Sequence, residues 1–541
     1  MPPHSPWHPF QRETLLQQLT NTLTWDLVVV GGGATGLGVA LDGLSRGYSV
    51  LLLERDDFAK GTSSRSTKLV HGGVRYLAQG DVALVREALF ERSLLLENAP
   101  HLVSNQTFVV PAYDWWNRGL YTLGLKAYDV LAGHRSLGAS VALNAVETLE
   151  HLPGIRSAGL RGGVLYHDGQ FDDARLAINL AQTAVEQGGT VLNHFAVDGL
   201  LKDTLGRTAG VQATDRETGT RYELHARCVV NATGVFVDDV LQLDAPGKPA
   251  LVRPSQGIHL VLDARFLPGP HALMIPKTDD GRVLFGVPWH GQLVLGTTDT
   301  PITERREEPQ ALETEIDFVL RTAGKYLTQA PTRHDVQSVF AGLRPLAAAG
   351  SSGKTKELSR SHKILVSGTG LITITGGKWT TYRRMAQDAL DRAIKEGLLP
   401  PSHSRTASLH IHGAQPTTAT DRKNHLYVYG TDQPALKQLM DTEPELGAKL
   451  DATQEFTRAE VVWAARYEMA RTVEDVLARR VRLLFLNAAA AMRAAPVVAE
   501  ILAQELGRDQ AWQHSQVADF TQLARGYLLM DAPVPTGTPA S

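Results

Sequence analysis

With 541 residues the chain is too long for a single core and implies two or three domains. A hydrophobic share of 43%, a charged share of 21% and a formal net charge of −3 describe an ordinary globular protein and give no bulk electrostatic case for nucleic acid. The single cysteine, Cys228, excludes an intramolecular disulfide, a cysteine zinc cluster and a redox CxxC pair, and its apolar surroundings read as core.

The start of the chain lacks a basic region followed by an apolar signal core, so a cytoplasmic protein is the expectation. No apolar run approaches the roughly 20 residues that span a bilayer, although peripheral membrane contact stays open. Residues 1–24 read as an arm followed by a helix from Arg12 to Leu23, with Leu15, Leu16, Leu19 and Leu23 at helical spacing and packed on the first domain.

The most informative stretch is 26–54. Val28, Val29 and Val30 form an apolar, β-branched run suited to a strand buried on both faces, and Gly31-x-Gly33-x-x-Gly36 follows at once. Gly31 permits a tight turn, Gly33 lets backbone approach a diphosphate, and Gly36 lets helix pack on strand. The amides of the helix start, at Ala34 and Thr35, and the positive end of its dipole favour an anion. Glu54 ends the next strand, where a carboxylate can accept from ribose hydroxyls and would repel a 2′-phosphate. This is a dinucleotide site that disfavours NADP.

From Arg55 to Leu77 the chain is dense in Gly, Ser, Thr and basic residues. Arg55, Thr62, Ser63, Ser64, Lys68, Leu69, His71, Gly72 and Gly73 are expected to contact the cofactor and its anionic groups. Asp81 then caps a helix reaching Asn98, with Pro100 as its stop. Tyr113, Trp115, Trp116 and Tyr121 form an aromatic stretch read first as packing, with a lipid or quinone contact as the alternative.

The glycine motif, Gly61-Thr62-Ser63-Ser64 and His71-Gly72-Gly73-Val74-Arg75-Tyr76-Leu77 closely resemble the FAD-dependent glycerol-3-phosphate dehydrogenases of the aerobic, bacterial type. These belong with the flavin oxidases and dehydrogenases that include amino-acid oxidases. The resemblance implies an α/β fold: a discontinuous FAD domain of the two-dinucleotide-binding type (25–100, 170–240 and 360–395), a β-rich substrate domain (101–169 and 241–359) and a C-terminal helical domain (405–530). A disordered tail, 531–541, is expected to follow.

Later segments extend the resemblance. Asp172 or Asp173 caps a helix, and Thr190 to Leu201 reads as a strand carrying Ala196 and Val197 beside the cofactor. Cys228 to Asn231 is an apolar strand ending in Ala232-Thr233-Gly234, a second turn at the flavin diphosphate. The region 253–346 is rich in short strands, with Asp279-Asp280-Gly281 and His290-Gly291 as hairpin turns. It contains the family-like segments at His259, at Gly296-Thr297-Thr298-Asp299 and at Arg344. Gly376-Gly377-Lys378-Trp379-Thr380 opens a helix whose amides would meet the isoalloxazine carbonyl end. Helices are expected at 458–470, 472–491 and 496–506.

Hydride transfer needs a substrate C–H over flavin N5, an acceptor for the alcohol proton and a dry pocket. Glycerol 3-phosphate is a dianion near neutrality, so Arg75, Arg344, Arg360 and Lys378 are read as its anion-binding and catalytic cations. His259 is the expected base, with a core histidine as the alternative, and Tyr76 orients the C2 hydroxyl.

The resulting expectation is a non-covalent FAD enzyme that oxidises glycerol 3-phosphate to dihydroxyacetone phosphate. It would use no metal, would pass electrons to a membrane quinone from the inner face of the cell membrane, and leaves a homodimer open. An oxygen-using oxidase, an amine or amino-acid oxidase and a non-catalytic FAD scaffold are the competing readings.

Overall fold

The computed structural model of the chain describes residues 10–77, 80–278, 281–347 and 362–529, without the side chains of Arg75, Tyr76 and Ala347. Arg360, Asp279, Asp280 and the tail 531–541 lie outside the described residues.

Two sheets organise the described chain. The first contains β1 (Trp25–Val30), β2 (Val50–Leu53), β7 (Thr190–Leu192), β8 (Phe195–Lys202), β9 (Thr208–Asp215), β10 (Arg221–Asn231), β17 (Lys363–Val366) and β18 (Ile372–Thr375). Its order is β17-β18-β10-β1-β2-β7, with β8 and β9 forming an antiparallel meander into β10. Strands β18, β10, β1, β2 and β7 run parallel. Every residue of β2 is buried, and β1 is buried apart from Asp26, as expected for parallel strands covered on both faces. Helices Ala34–Ser45, Asp173–Glu186 and Tyr382–Lys395 supply that cover.

The second sheet contains β3 (Leu69–Val70), β4 (Val103–Ala112), β5 (Val141–Leu143), β6 (Gly162–Phe171), β11 (Val252–Asp263), β12 (Ala272–Ile275), β13 (Leu284–Trp289), β14 (Gln292–Gly296), β15 (Thr300–Pro301) and β16 (Val336–Ala347). The chain enters it at β3, earlier than the expected domain change at 101, because Leu69 and Val70 pair with Gln170 and Gly169 of β6. His290 and Gly291 both take positive φ between β13 and β14, the turn that a two-residue hairpin requires.

The amino-terminal helix is Arg12–Asn21, shorter than the leucine spacing suggested, and Leu23 is exposed beyond it. Leu15 and Leu19 pack inward, and the buried Arg12 guanidinium reaches Asp215 at 2.7 Å and the Asn193 carbonyl at 2.8 Å.

The C-terminal helices depart further from expectation. The stretch 472–491 breaks into a π-helical turn (Asp475–Arg480), a left-handed residue at Arg482 and a short helix, Leu483–Leu486. The next helix, Ala488–Leu506, is capped by Asn487 and runs through Pro496. The break lets Arg479 and Arg480 turn inward onto Asp57, and Arg482 onto Asp173, so long-range ion pairs override local periodicity.

The two halves of the molecule are locked by buried charge. Arg175 donates two hydrogen bonds to Glu468, at 2.8 and 2.7 Å, with both side chains essentially without solvent. Removing one partner strands the other charge in the core. Arg175→Ala should therefore lower stability by about 3–5 kcal/mol, whereas the double change Arg175→Met with Glu468→Leu should recover most of it in a thermal unfolding measurement.

Candidate active site

The carboxyl ends of β1, β2 and β10 open on a cavity of about 660 Å³ that is closed by residues of the second sheet. This crevice lies where neighbouring strands leave β1 in opposite directions, the position at which parallel α/β sheets bind ligands.

The glycine turn is built by close contact. Gly31 has φ +107°, and a Cβ there would lie 2.9 Å from the Ala232 carbonyl oxygen; one at Gly36 would lie 1.8 Å from the Gly31 carbonyl oxygen. The two turns expected to carry the diphosphate are thus stacked on each other, and Gly36 serves packing rather than the cavity wall.

Gly31, Gly33, Ala34 and Thr35 line the cavity, as do Val197, Ala232, Thr233 and Gly234. Glu54 and Arg55 line it too. The Glu54 carboxylate accepts from the amides of Gly32 at 2.6 Å and Asp56 at 2.9 Å, so it also braces the loop it borders. Burial raises its pKa, and the two amides oppose that shift.

From the next segment Thr62, Ser63, Leu69, His71 and Gly73 reach the cavity. Ser63 accepts from the Ala34 amide at 3.0 Å, and its carbonyl accepts from Trp379 Nε1 at 2.8 Å. Gly376 and Gly377 take positive φ ahead of the helix that follows, and with Lys378, Trp379 and Thr380 they line the same cavity.

Four further residues expected at the cofactor are placed elsewhere. The Lys68 ammonium is fully buried, bonded to Asp173 at 2.8 and 2.9 Å and to the Ser64 carbonyl at 2.7 Å. Ser64 is buried with it, Gly72 packs under Tyr128 and Leu89, and Ala196 lies behind Val197. A sequence dense in hydroxyl and basic groups cannot show which of them turn inward to a distant acid.

His259 on β11 and Arg344 on β16 face the cavity from strands paired in antiparallel register. His259 Nε2 is 2.9 Å from Thr67 Oγ1, and its ring stacks on Phe340 at 4.8 Å. Burial first, then the charges of Lys68 and Arg344, push its pKa well below the usual histidine value, so the imidazole is neutral. Arg344 Nη2 donates to the Thr298 carbonyl at 2.9 Å and to Thr297 Oγ1 at 3.1 Å, with Asp299 at 3.5 Å from Nη1. Arg75 and Tyr76 lie on the short helix Val74–Leu77, whose Val74 lines the cavity.

Sequence reasoning did not single out Thr67, Arg282 or the apolar lining from Phe108, Tyr166, Met274 and Phe285. Only the polar density of the 61–68 stretch hinted at Thr67. Two glycine turns that present amides at helix starts, a ribose-side carboxylate and a cation-bearing sheet fit FAD.

The FAD dependent oxidoreductase family profile matches residues 26–383, and the C-terminal domain of alpha-glycerophosphate oxidase matches residues 367–513. The chain is 39% identical to the human mitochondrial glycerol-3-phosphate dehydrogenase over 94% of its own length and 74% of that protein. It is 40% identical to the Arabidopsis thaliana mitochondrial enzyme over 96% of its length and 88% of that protein. Among solved structures, the glycerol-3-phosphate dehydrogenase from Bacillus halodurans complexed with FAD superposes with a TM-score of 0.78 at 28% identity, covering 97% of this chain and 99% of that one. The alpha-glycerophosphate oxidase of Mycoplasma pneumoniae shares the fold, with a TM-score of 0.56 at 16% identity over 71% of this chain and 97% of that one. With its two sheets, its paired glycine turns and these relatives, the chain belongs to the family of FAD-dependent glycerol-3-phosphate dehydrogenases.

Proposed function

We propose that the chain oxidises sn-glycerol 3-phosphate at C2 to dihydroxyacetone phosphate and delivers the electrons to a membrane quinone. FAD, when bound, would supply the two-electron acceptor for the hydride of C2. The observation that carries this reading is the pairing of a neutral, buried imidazole with a cavity-facing guanidinium: His259 and Arg344 stand on hydrogen-bonded strands and line one cavity with the Gly376–Lys378 turn.

Arg344 binds the phosphate in this reading, helped by Lys378, Arg75 and Arg360, while Tyr76 orients the C2 hydroxyl and His259 takes its proton. The same set argues against an amino-acid oxidase, whose single carboxylate needs fewer cations, and against a scaffold with no substrate. An oxidase would share this substrate site and differ only in using oxygen.

For the membrane step, the helix Trp115–Ala132 is the surface we favour. Trp115, Trp116, Leu120 and Leu123 are 63%, 81%, 53% and 71% exposed, with Arg118 and Lys126 on the same helix. Such a helix suits a bilayer interface with anionic lipid. Leu15 and Leu19 are buried, as are Leu483 to Leu486, so neither of the other apolar stretches offers a face to lipid. Among the described residues no helix is long and apolar enough to cross a membrane. In this reading the chain rests on the cytoplasmic side.

Four results are expected. Anaerobic glycerol 3-phosphate bleaches the flavin band and glycerol does not; failure of the phosphorylated substrate to bleach bound FAD removes the dehydrogenase reading. Arg344→Ala weakens the substrate by about 10- to 100-fold, the loss of a charge-assisted hydrogen bond, read as a rise in KM. Because the His259 pKa is depressed, its basic form persists as pH falls through the ordinary histidine range, so flavin reduction keeps its rate between about pH 7 and pH 6. For the membrane surface, Trp116→Ser with Leu123→Ser abolishes sedimentation with anionic vesicles while turnover with a soluble dye is unchanged.

A further inference from the structure

The proposed reaction leaves open how a proton on a bound alcohol reaches His259, and the present inference rests on that reaction. His259 Nδ1 is buried and has no hydrogen-bond partner among the described residues. The other nitrogen, Nε2, is covered by Thr67 Oγ1 at 2.9 Å. The ring has no room to turn: it stacks on Phe340, and a Cβ on Gly296 would come within 2.2 Å of its Cδ2. From the cavity, which Thr67 itself lines, the basic nitrogen is therefore reached through the Thr67 hydroxyl.

That hydroxyl is held by a rigid turn. Ser66 donates its amide and its hydroxyl to Asp173 at 3.0 and 2.7 Å, and the Lys68 amide donates to Ser66 Oγ at 3.0 Å. Lys68 takes a left-handed φ of +64° and anchors its ammonium on the same Asp173. Thr67 sits between two residues pinned to one buried carboxylate, so its Oγ1 is positioned before any ligand arrives.

We propose that Thr67 is a catalytic residue that relays the C2 hydroxyl proton of the substrate to His259. The relay runs in the tautomer with the ring proton on Nδ1, in which Thr67 donates to Nε2. As C2–H leaves with its electron pair for FAD, the substrate O–H bond breaks and its proton moves to Thr67 Oγ1. The proton already on Thr67 moves to Nε2, the C2–O bond becomes a carbonyl, and His259 becomes imidazolium. One O–H bond is lost on the substrate, the bond on Thr67 is exchanged, and one N–H bond is gained. The hydroxyl turns strongly acidic as hydride departs, which drives its proton toward even a weakly basic histidine.

Anaerobic stopped-flow flavin reduction tests the relay in the FAD-loaded protein. Thr67→Val keeps the side-chain shape and removes the hydroxyl. It should lower the reduction rate constant by about 10²- to 10⁴-fold, the range of general acid–base catalysis, and abolish the solvent deuterium isotope effect. Thr67→Ser should stay within about tenfold of the parent and keep that effect. Spectral titration with dihydroxyacetone phosphate should give parent-like affinity in both variants, which separates the relay from a role in binding. If the valine variant releases FAD, Thr67→Ala takes its place in the same comparison. Parent rate and isotope effect in the variant without the hydroxyl overturn the relay. If the parent protein itself is not reduced by glycerol 3-phosphate, it is the reaction reading that fails.

Discussion

The structure depends on one buried carboxylate, Asp173. It receives the Lys68 ammonium, the Arg482 guanidinium at 2.9 Å and two hydrogen bonds from Ser66, and it belongs to the first turn of the helix Asp173–Glu186. Three distant parts of the chain meet there: the 61–68 turn at the cavity, a helix of the nucleotide sheet and the chain reversal of the C-terminal region. Each charge is dehydrated, so the cluster gains little net stability as a set, yet the loss of any member leaves another unpaired. Burial pulls the Lys68 ammonium down to about 7, with Arg482 adding to it and Asp173 opposing it. Its neighbour Asp172 is held well below the usual carboxylate range by Arg482 and His290, against its burial. Such a cluster acts less as glue than as a register, admitting one relative placement of the three segments.

That register matters because the cavity has no single owner. The nucleotide sheet supplies the glycine turns and Glu54, and the second sheet supplies His259 and Arg344. Between them run the residues 62–71, which leave β2 and enter the second sheet at β3. Thr62 Oγ1 bonds the Leu343 carbonyl at 2.5 Å, and Trp379 bonds Ser63, so this connection is tied to both walls. Arg65 extends the tie by bonding Glu308 at 2.7 Å. A site assembled from two sheets needs that stitching if its groups are to hold catalytic distances.

How much of this the sequence revealed follows from the range of the interactions. The glycine turn, the Glu54 position, the Asp81 cap and the His290-Gly291 hairpin are local events, set by residues within a few positions, and each is where the sequence placed it. The segment at 376–380 was equally legible, since a Gly-Gly turn at a helix start has a local signature. The C-terminal helices were misdrawn because Arg479, Arg480 and Arg482 answer to Asp57 and Asp173, more than 300 positions away. The burial of the Lys68 ammonium on Asp173 was hidden for the same reason. Thr67 drew no notice among seven neighbouring hydroxyl and basic residues, because a hydroxyl acquires meaning only from what faces it in space.

The electrostatics of His259 couple substrate binding to its basicity. Lys68 and Arg344 are the charges that, after burial, hold its imidazole neutral. Lys68 is sealed in the core, but Arg344 faces the cavity. Under the proposed reaction a phosphate dianion settles on Arg344 and cancels its field at the ring. Neutralising that charge removes one of the causes that hold the histidine pKa down, so the ring becomes more basic. The proton acceptor is thus weak in the free site and strengthens when a dianion arrives. An alcohol without a phosphate would meet the same ring in its weak form, so it loses rate as well as affinity, and binding energy remote from C2 is expressed at the reacting bond.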